Sequence, residues 1–287
     1  MFFRNIYISH FGKLSIKNSN FLFTDANKNS TTVPIDDINS IVIDTPLVSL
    51  TSSFISLCGE NGIAIYICDK YHLPNALFLP YAKHHKWLEV LEQQINWSVP
   101  YKKQSWKQVV EQKILNQKTA LDMAGKNSDY ISRFIGKVKS GDSDNVEATV
   151  ASYYFKEFFG KNFHRRNDNI TINALLNYGY ALVRGNIARS LAAYGFIPAL
   201  GLNHKNHYNG FNLVDDLLEP FRPIVDLLVF KISINGNDTL DKETRIMLLG
   251  IFEKEMQIQD NSYQVANVID IVVKSLRGSN LRLPLLV

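Results

Sequence analysis

Residues 200–223 read LGLNHKNHYNGFNLVDDLLEPFRP, and the rest of the chain is organised around them. The stretch holds two histidines, three carboxylates and one arginine among apolar and turn-forming residues. Asp215 and Asp216 lie four and three residues before Glu219, so on a helix each of them shares a face with Glu219. The two prolines that follow remove backbone donors and crowd the preceding turn, which predicts a kink beside Glu219. Imidazole and carboxylate groups at a bent helix predict a divalent-metal site.

Each part of this pattern also has an ordinary structural explanation. Acids near the start of a helix often complement the helix dipole, and a lone histidine is more often a core or surface residue than a ligand. A third candidate, Glu147, opens the apolar helix VEATVASYYFKEFF (residues 146–159). Asp144 lies three residues before Glu147, the spacing of a capping box, so Glu147 alone is best explained as a first-turn acid.

The composition limits the classes of protein that fit. The chain has 287 residues, long enough for two domains, and 46% of them are hydrophobic. Its net charge of +4 is only mildly basic, so affinity for nucleic acid must come from local clusters. Cys58 and Cys68 have no metal-binding spacing and predict free thiols in a reducing cytoplasm. We find no signal-peptide pattern and no apolar run of about eighteen residues, and expect a cytoplasmic protein without a membrane span.

Strand-like and helix-like patterns segregate along the chain. Short or alternating apolar runs broken by turn residues predict strands over residues 1–73. Pro74 and Pro80 interrupt this pattern, which predicts a linker and a first helix over residues 74–100. Helix-forming segments follow over residues 101–287. The sequence therefore predicts an α+β protein, with a small β-rich N-terminal domain and a larger all-α C-terminal domain.

Several helices of the C-terminal domain can be bounded from their punctuation. We predict helices over residues 129–139, 241–256 and 262–276, in addition to the long helix that stops at Gly195. The last segment, residues 277–287, contains a proline and predicts a mobile or partner-binding end.

Basic residues interleave with aromatic ones in YKKQSWK, residues 101–107. Lys102 and Lys103 there suit a surface that follows phosphates, with aromatic rings available for stacking. A solvated helix face explains the same pattern equally well, so both interpretations stay open. A second basic loop contains His164 and Arg165.

Three longer motifs carry a resemblance to a known family. They are NALLNYGY at residues 173–180, PALGLNH at 198–204 and DLLEPFRP at 216–223. With a glutamate opening an apolar helix before them, they resemble CRISPR-associated protein one, the integrase that inserts new spacers into CRISPR arrays. The resemblance covers nearly the whole chain and is most similar to the type II (Cas-nine-associated) subgroup. It implies the same β-rich N-terminal and helical C-terminal domains.

In that family a Glu, a His and an acidic residue hold the metal. By motif position they match Glu147, His204 and Glu219. Many relatives carry Asp at the last position, so Glu219 is a conservative variant; His207 lies near His204, but the motif favours His204. The resemblance thus implies a Mg²⁺ or Mn²⁺ site of one imidazole and two carboxylates.

The reaction implied is transesterification, in which the 3′-hydroxyl of a short DNA fragment attacks a phosphodiester of the repeat array. It needs no protein nucleophile, in agreement with the absence of a Gly-x-Ser-x-Gly motif. The residues that we expect at DNA phosphates are Lys102, Lys103, His164, Arg165, Arg184, Lys205 and Arg222.

The resemblance also implies partners. They are double-stranded DNA, both as the prespacer fragment and as the repeat array, and a second copy of the chain in a homodimer formed through the N-terminal domain. Two such dimers would be bridged by a dimer of CRISPR-associated protein two, with Cas nine and an accessory subunit as further partners in the type II subgroup. Two other functions fit the same residues: a stand-alone metal-dependent nuclease for branched DNA, and a catalytically silent DNA-binding scaffold.

Overall fold

Strands and helices segregate along the chain, as the sequence predicts. The computed structural model describes residues 4–81, 84–165, 171–236 and 238–287. The N-terminal elements are β1 (Arg4–Ile8), β2 (Gly12–Lys17), β3 (Asn20–Asp25), β4 (Ser30–Pro34), β5 (Ile38–Ile43), β6 (Val48–Leu50), α1 (Ser52–Asn61), β7 (Ala64–Cys68) and β8 (Pro74–Phe78). The later elements are α2 (Trp87–Ile95), α3 (Val99–Met123), α4 (Asp129–Ser132), α5 (Val146–Phe159), α6 (Thr171–Ala193), α7 (Asn212–Leu218), α8 (Arg222–Ile234), α9 (Lys242–Leu249), β9 (Glu255–Ile258), β10 (Asn261–Gln264), α10 (Val265–Ser275) and β11 (Leu285–Leu286).

Two four-stranded sheets and α1 build the N-terminal region. In the first sheet β1, β5 and β7 are parallel and β8 is antiparallel to β7. The second has the order β4-β3-β2-β6. Side chains from both sheets and from α1, among them Leu14, Phe21, Ile41 and Phe54, form one hydrophobic cluster. The β-rich region therefore has a core of its own.

The predicted linker begins too early. Pro74–Phe78 forms β8, the edge strand of the first sheet, rather than a connection between domains. Pro74 is the first residue of this edge strand, a position where a missing backbone N–H breaks no ladder. The prolines that interrupt the alternating pattern thus mark the sheet edge, and the connection to α2 follows Phe78.

The first sheet docks on the helical region through Tyr66 of β7. Its ring is buried, and its hydroxyl donates a hydrogen bond to the carbonyl oxygen of Leu182 on α6 at 2.8 Å. A Cβ on Gly185 would lie 2.1 Å from Cε1 of this ring, so only glycine allows such a close approach. The β5 and β7 side chains on this face belong to the larger hydrophobic core of the helices.

Helix α3 runs through the helical region and carries polar side chains on its buried surface. At 25 residues it is about 37 Å long, and it contacts α5, α8 and the turn that joins α7 to α8. Asn116 of α3 donates to the carbonyl oxygens of Pro220 at 2.7 Å and Pro284 at 2.9 Å, and accepts from the backbone N–H of Leu286 at 3.1 Å. One amide thereby joins α3, that turn and the C-terminal tail.

The C-terminal region is mostly helical, but the prediction that it is all-α is corrected by a small antiparallel sheet, β10-β9-β11. The helix predicted over residues 241–256 ends at Leu249, and the one predicted over 262–276 begins only at Val265. Between them β9 and β10 form a hairpin, with Gln259 in the left-handed region at its tip. The tail pairs with β9 through β11 and buries Leu286, so the prediction of a mobile end is wrong.

The helix predicted over residues 129–139 is also too long. Residues 129–139 contain α4 only from Asp129 to Ser132, followed by turns that include Gly136 at a positive φ.

In the parts of the chain described above, no helix has the length and apolar character to cross a membrane.

Candidate metal and DNA site

The helix that carries the acidic motif changes its winding at Glu219. Helix α7 ends at Leu218, residues Glu219–Phe221 form one 3-10 turn, and α8 begins at Arg222. Pro220 is the second residue of the 3-10 turn and Pro223 is the second residue of α8, where a backbone N–H has no intrahelical partner. The predicted interruption beside Glu219 is therefore confirmed. It places the Glu219 carboxylate in the interior, with the residue 5% exposed.

Glu147 stands in the first turn of α5, as predicted, but the cap is different. Asp142, rather than Asp144, accepts the backbone N–H groups of Val146 at 2.9 Å and Glu147 at 3.2 Å. Asp144 instead pairs with Lys139 at 2.7 Å. The predicted capping box is therefore wrong. The Glu147 backbone N–H is thus part of the cap, while its carboxylate contacts Lys113 on α3.

Glu147 and Glu219 converge on Lys113 of α3. Its Nζ lies 2.6 Å from Glu147 Oε1 and 2.5 Å from Glu219 Oε2, and Arg222 Nε lies 2.8 Å from Glu219 Oε1. Burial opposes ionisation of Glu219, but the charges of Arg222 and Lys113 together outweigh it and hold the pKa of Glu219 well below its usual range. Burial likewise opposes the charge on Lys113, yet Glu219 and Glu147 raise its pKa. The cluster is therefore ionised and internally paired.

Asp216 shapes the loop that carries His204. Its carboxylate is fully buried and accepts the backbone N–H groups of Leu202 at 2.6 Å, Asn203 at 3.1 Å and His204 at 3.1 Å. The other Asp216 contact is with His204 Nδ1, at 2.7 Å. This hydrogen bond raises the pKa of His204 against the opposing effect of burial. A Cβ on Gly201 would lie 2.8 Å from Asp216 Oδ2, so the loop closes this tightly because residue 201 is glycine.

The His204 ring lies on the same side of α3 as Lys113. It meets the buried Trp106 edge to face, with the ring centroids 5.7 Å apart. Trp106 and Lys113 are seven residues apart, about two helical turns. A neutral imidazole that donates from Nδ1 to Asp216 has an unprotonated Nε2, the form that a metal ligand needs.

A cleft of about 360 Å³ opens beside His204. The Tyr180 ring in its wall is contacted by two guanidinium groups, Arg222 at 4.5 Å and Arg165 at 5.2 Å from the ring centroid. Arg184 lines the cleft and pairs with Asp215 at 2.6 Å. The cleft therefore combines cations with an imidazole and suits a phosphate-bearing ligand.

The structure brings together some of the predicted DNA-contacting residues and separates others. Arg165, Arg184 and Arg222 line the cleft with His204. Lys205 is exposed on the loop after His204, and His164 is exposed beside Arg165. Lys102 and Lys103 lie in the first turns of α3, outside the residues that line the cleft. Trp106, in the same motif, is buried and cannot serve as a stacking platform.

The donor set fits a hard divalent cation, although the side chains are arranged around an ammonium group. Within the described ranges, no three His, Cys, Asp or Glu side chains are close enough together to share one metal ion. The Lys113 ammonium stands where Glu147 and Glu219 meet, so the carboxylates already surround one position for a cation. Two carboxylates and one imidazole are ligands that suit Mn²⁺ and are accepted by Mg²⁺.

Comparison with known proteins identifies the family. The family model described as CRISPR associated protein Cas1 matches residues 6–248. The chain is 38% identical over 282 residues to the CRISPR-associated endonuclease Cas1 of Neisseria meningitidis serogroup C (strain 8013). The aligned region covers 97% of this chain and 92% of that relative. The chain belongs to the Cas1 family.

Solved structures agree with this assignment at the level of the fold. A casposase bound to integration product has a TM-score of 0.77 at 20% identity, with 96% of this chain and 89% of that chain covered. A Cas6-RT-Cas1–Cas2 complex has a TM-score of 0.73 at 16% identity, with 96% of this chain and 34% of that chain covered. The predicted α+β fold and the Cas1 resemblance are confirmed.

Two buried charged residues near the candidate site, Lys113 and Asp226, were not among the functional residues proposed from the sequence. Lys113 lies three residues before Asn116 and four before Gln117, so the three polar side chains form a row on one face of α3. A polar row among apolar neighbours was the sign in the sequence that could have identified Lys113. Asp226 is buried and accepts hydrogen bonds from the hydroxyls of Tyr154, at 2.9 Å, and Tyr180. The four-residue spacing of Arg222 and Asp226 predicts a helical ion pair. In the structure, Arg222 Nε binds Glu219 instead. A lone Asp in the apolar run of α8 was the available sign.

Proposed function

We propose that this Cas1-family protein is a divalent-metal-dependent DNA integrase and endonuclease of CRISPR adaptation, which joins the 3′-hydroxyl ends of short DNA fragments to the repeat array by transesterification. The observation that carries the proposal is the convergence of Glu147 and Glu219 on one cation position beside the cleft that contains His204. The relative named an endonuclease and the fold shared with a casposase bound to integration product support it.

The metal ligands would be Glu147, His204 and Glu219, with Mg²⁺ or Mn²⁺ as the cation. A cation bound there supplies a Lewis acid for the scissile phosphate and lowers the pKa of an attacking hydroxyl. Asp216 contributes by fixing the ring of His204 through Nδ1, so that Nε2 is the free nitrogen. Arg222 holds the second oxygen of Glu219 at 2.8 Å and restricts that carboxylate to one orientation.

The DNA would enter through the cleft. Arg165 and Arg184 expose guanidinium groups in its wall. Arg165 donates to the Asn177 side chain at 2.7 Å, and Arg184 donates to Asp215 at 2.6 Å. Such held cations lose little conformational entropy when a phosphate binds. His164 and Lys205 would add contacts at the rim, and Lys102 and Lys103 would follow the duplex farther from the cleft. No serine, cysteine or other protein nucleophile takes part, since the DNA hydroxyl attacks directly.

The proposed assembly follows the family. Two copies of this chain would form a homodimer through the N-terminal domain. Two such homodimers would bind one Cas2 dimer. The fold shared with a chain of a Cas6-RT-Cas1–Cas2 complex supports the partnership with Cas2. Two paired sites would let both ends of a fragment be joined. We further propose a cytoplasmic, type II setting, in which Cas nine and an accessory subunit would select the fragment.

A strand-transfer assay tests the function. Purified protein, with and without its Cas2 partner, receives a short duplex with free 3′-hydroxyls and a supercoiled plasmid carrying a repeat array, with Mn²⁺, Mg²⁺ or EDTA. We expect metal-dependent joining that Glu147→Ala, His204→Ala and Glu219→Ala each abolish, while duplex binding persists. The matched control is His207→Ala, because His207 is exposed on the same loop.

The products separate the competing functions. Nicking without joining would assign the protein to the stand-alone nucleases, and binding without either reaction in all metals would assign it to the scaffolds. Full activity in any one of the three ligand variants would refute the site.

A further inference from the structure

Lys113 occupies the position at which two side chains from distant segments meet. Its Nζ is in contact with Glu147 Oε1 at 2.6 Å and Glu219 Oε2 at 2.5 Å. The Lys113 and Glu219 side chains are 7% and 6% exposed, so water does not screen this pair. A lysine is seldom buried unless it is paired, because removing its charge from water is expensive. The two carboxylates therefore hold Lys113 in the interior, and Lys113 holds them together.

The same geometry leaves little room for a second cation. Mg²⁺ binds carboxylate oxygens at about 2.0–2.1 Å, which is closer than the present contacts to the ammonium nitrogen. A cation on the facing oxygens of both glutamates would coincide with the ammonium group. Charge gives the same result. Glu147 and Glu219 are balanced by Lys113 and Arg222, so a divalent ion added to this cluster would be repelled by the cations already there.

We propose that Lys113 is a resident counter-ion of the metal site: it keeps Glu147 and Glu219 together when no divalent cation is bound, and its ammonium group leaves that position when the cation binds. This inference rests on the proposed function, because it takes Glu147 and Glu219 as ligands. Lys113 is thus a positioning residue. It sets how tightly the site binds metal, and it prevents the buried Glu219 carboxylate and the partly buried Glu147 carboxylate from repelling each other in the metal-free protein.

The lysine side chain suits this role better than an arginine would. Its ammonium is a compact point charge on a flexible four-carbon stem and can withdraw without breaking a fork of parallel hydrogen bonds. Removing the charge eliminates the competitor but leaves the metal-free carboxylates unpaired. The metal-free protein should then become less stable, and the protein should bind metal more tightly. A purely structural lysine would give the first effect without the second.

The test measures Mn²⁺ binding to the full chain by titration with electron paramagnetic resonance, and Tm with and without Mn²⁺. The variants are Lys113→Met, Lys113→Gln and Lys113→Arg. The matched control is Lys118→Met, since Lys118 lies on the same helix and pairs with Asp122 at 2.5 Å while remaining partly exposed. We expect Lys113→Met and Lys113→Gln to bind Mn²⁺ about tenfold or more tightly than wild type, a change of the size seen for groups that adjoin metal ligands. Their metal-free Tm should fall and recover when Mn²⁺ is added, and Lys113→Arg should bind no more tightly than wild type.

Two results overturn the inference, and they are distinguishable from failure of the proposed function. If wild type binds Mn²⁺ and Glu147→Gln abolishes this binding, but neither neutral Lys113 variant binds more tightly, then Lys113 stays in place and the inference alone fails. Lys113→Gln retains hydrogen-bond donors and provides this answer even if Lys113→Met does not fold. If Mn²⁺ binding to wild type is absent or insensitive to Glu147→Gln, the metal site itself is wrong, and both proposals fail.

Discussion

Replacing Asp216 with asparagine should destabilise the protein far more than a conservative change on a short helix usually does. Asp216 accepts four hydrogen bonds, from Leu202 and Asn203 on Oδ2 and from His204 N and Nδ1 on Oδ1. In Asp216→Asn one of these oxygens becomes an amide that can only donate. Whichever way the amide is turned, two of the four donors therefore lose their acceptor, inside a site with no exposure to solvent.

The size of the effect follows from these contacts. A hydrogen bond to a charged group contributes about 1.5–3 kcal/mol, so losing two costs about 3–6 kcal/mol. At about 2.1 cal/mol/K per residue, the whole chain has an unfolding entropy of about 0.6 kcal/mol/K, which converts this loss into a fall in Tm of about 5–10 °C. Because His204 depends on the same carboxylate for its orientation, Mn²⁺ affinity should fall as well.

The assay is thermal and urea unfolding followed by circular dichroism, with Asp215→Asn as the matched control. Asp215 is the neighbouring acid and pairs with Arg184, whose side chain is 36% exposed, so its loss should cost about 1 kcal/mol or less. A double-mutant cycle of Asp216→Asn with His204→Ala should show coupling of about 1.5–3 kcal/mol. If Asp216→Asn is no more destabilising than Asp215→Asn, Asp216 does not organise the loop.

Two further predictions concern the core beneath the site. Burial raises the pKa of Asp226 to about 6 from 3.8, against the opposing hydrogen bonds of Tyr180 and Tyr154, so between about pH 4 and 6 the native state binds a proton that the unfolded chain does not. The cost of its charge is present at neutral pH and disappears as the pH falls through 6. The stability of Asp226→Asn relative to wild type in urea unfolding should therefore decrease by roughly 2–2.5 kcal/mol from pH 7 to pH 4, and a constant difference would contradict the assignment. Gly185→Ala should lower stability by about 1–2 kcal/mol, because overpacking against Tyr66 exceeds the gain in helix propensity. An unchanged or raised Tm would show that the ring of Tyr66 moves aside freely.

The sequence predicts those parts of the site that depend on local chemistry. Pro220 and Pro223 have fixed backbone requirements, so the break in the helix beside Glu219 can be placed from their positions. The first-turn location of Glu147 follows in the same way from the composition of its helix. The assignment of Glu147, His204 and Glu219 as metal ligands came from the family resemblance and stays a prediction.

The contacts that join distant segments could not be predicted from periodicity. Lys113 is 34 residues from Glu147 and 106 from Glu219, and nothing local to α3 identifies either partner. The cap of α5 was misplaced because Asp142 and Asn145 take positive φ values, which turn the chain so that Asp142 rather than Asp144 reaches the helix start. The helices predicted over residues 241–256 and 262–276 ran into β9 and β10, a hairpin whose third strand, β11, lies almost thirty residues further along the chain.

The amide of Asn116 links the C-terminal tail mechanically to the segment that carries Glu219. It binds Pro284 and Leu286 in the tail and the carbonyl oxygen of Pro220, the residue next to Glu219. A pull on the exposed Val287, whether from a bulky fusion or from a neighbouring subunit that grips this end, is therefore transmitted through one side chain to the peptide that follows Glu219. Tension applied to residues 284–287 would therefore act on the Glu219 carboxylate, more than sixty residues earlier in the sequence.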